Sequence, residues 1–404
     1  MKLRMFVRAA LLLVAASPLA ACGGGCHRGK AALDAGDNDL AIAIYSDCLG
    51  QADLGSKSRA VIHTYRGIAH YNKREFDQAI ADYDEALRLD PSYAHAYSTR
   101  GNAYRRKGEN DRGIADYDEA LRLNPDFSVA YYNRGNAYRD KSDYHRAIES
   151  YDEAIRLDPA FAVAFVNRGL AHQGAGQYEL AIADYDQGLR LDPRDLRAYT
   201  NRGLVYYRKG QYARALAEQD EAIRINPKYV SAYANRARVF AWTNRLDDAK
   251  REVDQALSLA SPRQRPEWFA IACKELGLIG RASLAEPYCD EAVKLDSDPE
   301  VRDLRAFVLW QLGKSAEARK ELQKVHESNP KAELYEPGDR LDQYPLVLAQ
   351  GLLRELGYRP GLADGRLRPE TSAAISAFEE SIGLARSGVV SDDLIAALMA
   401  ARPG

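Results

Sequence analysis

Three patterns of apolar and polar positions divide this chain. Near the N-terminus, Ala9 to Ala16 forms a short apolar run behind the basic residues Lys2, Arg4 and Arg8. It is too short to cross a bilayer as a helix, which needs about 20 residues. From residue 60 onward the pattern repeats. Gly67, Gly101, Gly135, Gly169 and Gly203 are 34 residues apart, and Pro91, Pro125, Pro159, Pro193 and Pro227 keep the same step. Ala79, Ala147, Ala181, Ala215 and Ala249 share it, with Gly113 in the one gap. A fixed period of this length means stacked supersecondary units that bury their apolar faces only against each other. The third pattern follows a polar stretch, Lys331 to Tyr344. Pro369 opens a helix with Ala374, Ile375 and Phe378 on one stripe, and Ser391 caps a last helix with Asp392 and Asp393 in its first turn.

The 34-residue unit resembles the tetratricopeptide repeat, a helix–turn–helix with small residues at positions 8, 20 and 27, aromatics at 4, 11 and 24, and Pro at 32. Six units run without insertion from 60 to 264, and degenerate units fit 22–59, 266–298 and 299–332. Gly108, Gly176, Gly210 and Asn244 sit at position 15, where the first helix should stop in a left-handed cap. Much of the unusual tyrosine content, 25 against 9 Phe, falls at positions 4, 11 and 24. Residues 344–404 resemble a small helical peptidoglycan-binding domain. Gln350, Leu356-Gly357-Tyr358, Asp364-Gly365, Thr371, Phe378, Gly383-Leu384 and Gly388-Val389-Val390 carry that likeness. Arg368, Glu379 and Ser387 stand where that family usually has Gly, Gln and Asp. The expected fold is all-α: a right-handed superhelical solenoid over 22–332, a linker at 333–343 and a three-helix domain at 344–404.

The opening segment resembles a bacterial lipoprotein signal. Residues 1–21 would be removed, and Cys22, after Leu19-Ala20-Ala21, would carry the lipid. Gly23 in place of Asp then favours the outer membrane, on its periplasmic side. Four further cysteines remain, Cys26, Cys48, Cys273 and Cys289. An oxidising compartment makes two disulfides the expectation. Three pairings are possible, and the local ones, Cys26–Cys48 and Cys273–Cys289, would each staple one degenerate unit.

Charge narrows the partners. The net charge of -2 offers no case for nucleic acid. Asn133, Asn167, Asn201 and Asn235 recur at position 6 of the helix expected to line the inner groove, where carboxamides could hold an extended peptide. Asn102, Asn136, Arg105, Tyr132, Arg139, Tyr207 and Arg208 fall at other groove positions. Position 7 is Arg and position 25 is Asp in all six units, a pattern expected to form structural ion pairs. In the last domain Tyr358, Arg359 and Arg366 are the candidates for peptidoglycan. No catalytic motif, metal-ligand spacing or cofactor fingerprint is found, and His63, His70 and His172 fall at packing positions. The sequence thus reads as an envelope scaffold taking a protein or peptide in its groove and peptidoglycan on its last domain. The alternative is an assembly or secretion pilot whose last domain contacts protein.

Overall fold

A computed structural model describes residues 25–51, 54–296, 298–328, 337–361, 363 and 365–401. The signal segment 1–21, Cys22, Pro330, the first part of the linker and Asp364 lie outside the described residues. Two compact units divide at Pro193. The N-terminal unit holds five hairpins: α1 (Cys26–Ala35) with α2 (Asn38–Leu49), α3 (Ser56–Asn72) with α4 (Phe76–Leu89), α5 (Ala94–Arg106) with α6 (Asn110–Leu123), α7 (Ser128–Asp140) with α8 (Tyr144–Leu157), and α9 (Ala162–Gly174) with α10 (Tyr178–Leu191). The C-terminal unit holds four more: α11 (Leu196–Arg208) with α12 (Tyr212–Ile225), α13 (Val230–Trp242) with α14 (Leu246–Leu259), α15 (Arg265–Leu278) with α16 (Ala282–Leu295), and α17 (Pro299–Gln311) with α18 (Ser315–Ser328). Three helices complete it: α19 (Pro337–Glu355), α20 (Pro369–Ser381) and α21 (Asp392–Ala400). Among the described residues there is no strand.

Each hairpin turns the same way. Position 15 is left-handed in all nine: Gly36, Arg74, Gly108, Ser142, Gly176, Gly210, Asn244, Gly280 and Gly313, with φ between 60° and 83°. The next amide then bonds the carbonyl five residues back, as Glu109 N does to Tyr104 O at 2.9 Å. This satisfies a carbonyl that the helix end would leave bare. Arg74 and Ser142 hold this conformation without glycine's freedom, a strained choice for a residue with a Cβ.

The two helices of a hairpin cross at positions 8 and 24. In the N-terminal unit a glycine lies under a tyrosine ring at each crossing: Gly29 under Tyr45, then Gly67 under Tyr83, Gly101 under Tyr117, Gly135 under Tyr151 and Gly169 under Tyr185. A Cβ on any of these glycines would stand 2.6–2.8 Å from the ring. In the α15–α16 hairpin, Cys273 and Cys289 occupy the same two positions, and a disulfide replaces the contact. Cys26 is joined to Cys48 across the first hairpin. The structure therefore holds the local pairing among the three possible ones.

Residues 337–343 were expected to be linker. They form the first turns of α19 instead, and Tyr344, Leu348 and Leu352 continue one apolar core with Phe307, Leu309 and Ile279 of the repeats. The physical reason is that α19 is apolar on two sides, as shown below.

Two substitutions test this geometry by urea unfolding followed by circular dichroism. Ser142→Gly relieves the left-handed turn and should add about 1 kcal/mol. Gly135→Ala should lose about 1–3 kcal/mol by overpacking against Tyr151, although alanine is the better helix former.

Candidate functional site

Each arginine at position 7 bonds at least one acid within the stack of hairpins. Arg100 places Nε and Nη2 on Asp116 at 2.9 and 2.7 Å, and Nη1 on Asp84 at 2.5 Å. Arg168 does the same with Asp184, at 2.9 and 2.6 Å, and with Asp152, at 2.5 Å. Each thus binds position 23 of its own hairpin and position 25 of the hairpin before. Arg134 reaches Asp118 and Ser150, and Arg236 reaches Asp220 and Glu252. The expected position-25 partner is present, and a second one at 23 was missed. Its signal was in the sequence: Asp82, Asp116, Asp184, Glu218 and Glu252 form another acidic column. The scheme extends to the degenerate ends. Arg66 bonds Ser46 Oγ at 3.1 Å, and Arg305 bridges Asp290 at 2.7 Å and Glu321 at 3.0 Å. Position-4 rings lie 5.2–5.6 Å from several of these guanidinium groups, Tyr131 under Arg134 and Tyr199 under Arg202 among them. A further rung joins Lys73 to Asp39 and Lys107 to Asp77, both at 2.7 Å. These charges bind hairpin to hairpin and are not an open recognition stripe.

The asparagine ladder also turns inward. Asn133, Asn136 and Asn167 are buried. Asn167 Nδ2 donates to Tyr132 OH at 2.9 Å and to Asn136 Oδ1 at 2.8 Å, and Tyr151 OH donates to the same Asn136 oxygen at 2.8 Å. Tyr117 OH donates to Asn102 Oδ1 at 2.7 Å. The peptide-holding role expected of Asn133, Asn136 and Asn167 is corrected on this point. Asn133 is buried, and the carboxamides of Asn136 and Asn167, buried among tyrosine hydroxyls, spend their bonds there. Asn201 and Asn235 are half-buried. What the N-terminal unit presents on this face is Tyr71, Asn102, Arg105, Tyr132 and Arg139, half-buried, with Arg106 exposed. Arg105 and Arg139 share Asp140, at 2.6 and 3.1 Å. His95, packed on Phe127, is pushed by burial down to about 4 and stays neutral.

In the C-terminal unit the corresponding face is occupied by the chain itself. Tyr344 sits 5.3 Å from the Phe307 ring and 5.8 Å from Trp310, with its hydroxyl donating to Asp303 Oδ1 at 2.9 Å. A Cβ on Gly351 would stand 2.5 Å from Leu278 O. Arg208 Nη1 donates to Arg354 O at 2.8 Å and lies 3.3 Å from Glu355. Asp303, Phe307, Trp310, Leu278 and Arg208 are at positions 5, 9, 12, 13 and 13 of their units, the groove positions. Tyr207 and Arg208, expected to meet a peptide, are therefore covered here by α19. Tyr207 is 1% exposed.

Inside the last domain, polar residues hold two turns. Gln350 accepts from Gly365 N at 3.1 Å and donates to Arg366 O at 3.1 Å, while Thr371 donates to Pro360 O at 2.6 Å. Glu379 accepts from the amides of Ser387, at 2.6 Å, and Gly388, at 3.1 Å, and from the Ser387 hydroxyl. Glu379 and Ser387, two of the three departures from the family pattern, are thus partners of each other and build a turn. Burial pushes the Glu379 carboxyl up, but the Ser387 and Gly388 bonds outweigh it and hold it below the usual carboxylate range. Tyr358 meets Phe378 edge-on and donates to Ser381 Oγ at 3.0 Å, with Arg359 and Arg366 exposed nearby in sequence.

The tetratricopeptide repeat family matches residues 27–94, 64–126, 98–161 and 166–230, and a peptidoglycan binding domain family matches 344–398. The chain belongs to the tetratricopeptide repeat family over 27–230 and carries a domain of the second family at its C-terminal end. Neither is a catalytic family. Among solved structures, a tetratricopeptide repeat protein from Parabacteroides merdae is 19% identical, with 60% of this chain and 94% of that one covered and a TM-score of 0.50. PilF of Pseudomonas aeruginosa is 19% identical over 53% of this chain and 98% of its own, with a TM-score of 0.45. MamA of Desulfovibrio magneticus is 20% identical over 42% and 97%, with a TM-score of 0.40. No curated protein matches.

The ladder predicts unequal losses. Asp184, with a side chain 7% exposed, and Asp152, 51% exposed, share Arg168. Asp184→Asn should cost about 3 kcal/mol and Asp152→Asn less than about 1, by urea unfolding. Glu379 makes the last domain acid-sensitive. Its folded pKa is depressed, so its stabilisation is present above the unfolded value, about 4.3, and is lost as pH falls through the folded value. Glu379→Gln should flatten the decline in thermal midpoint below about pH 4.

Proposed function

We propose that this protein is an exported lipoprotein scaffold that holds partner proteins on its helical hairpins and attaches them to peptidoglycan through its last domain. The single observation that carries this reading is the peptidoglycan binding domain match at 344–398 on a chain whose residues 27–230 match a repeat family that suggests protein binding. The Cys26–Cys48 and Cys273–Cys289 disulfides support an oxidising compartment. The lipobox at Leu19 to Cys22 supports an anchor in the outer membrane, facing the periplasm, where the wall polymer is within reach. Lipid at one end and peptidoglycan at the other would fix the hairpins in the envelope, with the half-buried face around Arg105, Tyr132 and Arg139 open to a client.

Co-sedimentation with purified murein sacculi tests the reading. The intact protein should pellet, and the double variant Arg359→Glu/Arg366→Glu should bind about tenfold more weakly, about 1.4 kcal/mol. Failure of the intact protein to pellet would leave the last domain as a protein contact only. For the anchor, Cys22→Ser should move the protein from the membrane fraction to the soluble one.

A further inference from the structure

Helix α19 has two working faces one residue apart. Gln343, Val347, Gln350 and Arg354 serve its own domain. A Cβ on Gly365 would meet Gln343 Cβ at 2.7 Å and Val347 at 3.2 Å, Gln350 bonds both sides of that turn, and Arg354 Nη2 donates to Gly361 O at 2.5 Å. Tyr344, Gly351 and Glu355 serve the repeats, touching α17, α15 and α11 in that order. The spacings i, i+7 and i+11 put each set on one side of a helix. The helix therefore crosses the hairpins of its unit as a bound helical ligand would, with an aromatic anchor at one end, a small residue at the closest approach and a carboxylate at the other end.

The seam is apolar at the Tyr344 end and polar at the Glu355 end. The Tyr207 hydroxyl and the Glu355 carboxylate are buried there beside each other. Arg208 with Glu355, and Arg238 with Glu275, add partly buried ion pairs beside them. Taking polar and charged groups out of water is costly, and separation of the seam returns them to it. We propose that the groove face of hairpins 196–311 is a helix-binding site that the chain fills with its own α19, so that an amphipathic client helix gains this face only by unseating the C-terminal domain. This rests on the reading of the repeats as a partner-binding surface and concerns protein contact alone, so sedimentation with murein and the experiment below succeed or fail separately.

The probe is a fluorescein-labelled synthetic peptide of residues 340–358, measured by fluorescence anisotropy against the full chain. Release of α19 is followed independently by tryptophan emission, because Tyr344 covers Trp310. Gly351→Leu inserts a side chain against a backbone carbonyl of the repeats, on the face of α19 that meets them. It should shift the emission to the red and bind the peptide at least about tenfold more tightly than the native chain. Equal binding by the native chain would overturn the proposal, since the face would then be open in solution. So would a red-shifted Gly351→Leu variant that does not bind. If Gly351→Leu loses helix content, Arg208→Glu sets two carboxylates together at the far end of the seam and is read in the same way. Unchanged emission in both variants would make α19 a fixed part of the core and overturn the proposal as well.

Discussion

A glycine beneath a tyrosine ring decides how closely the two helices of each hairpin approach, and most of the architecture follows from that distance. Without a Cβ at position 8, the ring from position 24 lies across the helix backbone, and alanine at position 20 lets the second helix settle beside the first. The ring hydroxyl then emerges on the inner face. It is there that Tyr117 and Tyr151 find Asn102 and Asn136. One apolar contact therefore fixes both the packing within a hairpin and the hydrogen bonding that leads to its neighbour. Where the tyrosine is missing, something else takes the crossing: a glutamine amide at Gln219, a disulfide at Cys273 and Cys289.

The contacts between hairpins have a different character. They depend on forked guanidinium groups such as Arg100 and Arg168, shared by a buried acid from their own hairpin and a half-exposed acid from the one before. A fork of fixed geometry holds two carboxylates in one plane, so these pairs set register more than they add stability. The same device reaches the degenerate hairpins through Arg66 with Ser46 and Arg305 with Asp290, where the 34-residue pattern is hardest to see.

Much of this was legible from residue types. The period, the caps at position 15, the two disulfides and the three helices of the last domain follow from local chemistry: glycine at positive φ, small residues at crossings, proline at helix starts. The contact partners were less legible. Asn133 and Asn167 read as rungs of a peptide-holding ladder, and Asn136 as another groove residue, because spacing gives the side of a helix but not the reach of the tyrosines opposite. Position 23 went unread as the inner partner of the arginines because position 25 was the more uniform column, and an acid that is sometimes Ser or Glu looks incidental. The seat of α19 was invisible for a related reason. Its two faces differ by one residue in register, so in sequence they merge into a single apolar run that looks like one face of an independent domain.

Covalent closure of the first hairpin has a mechanical meaning. Stacked repeats usually fray from their ends, where a unit has only one neighbour. With Cys26 tied to Cys48, tension applied at the N-terminus travels through the sulfur atoms and leaves α1 slack-free against α2. Unzipping under load must then begin beyond Cys48, so that the first hairpin acts as a handle and not as the first thread to pull loose.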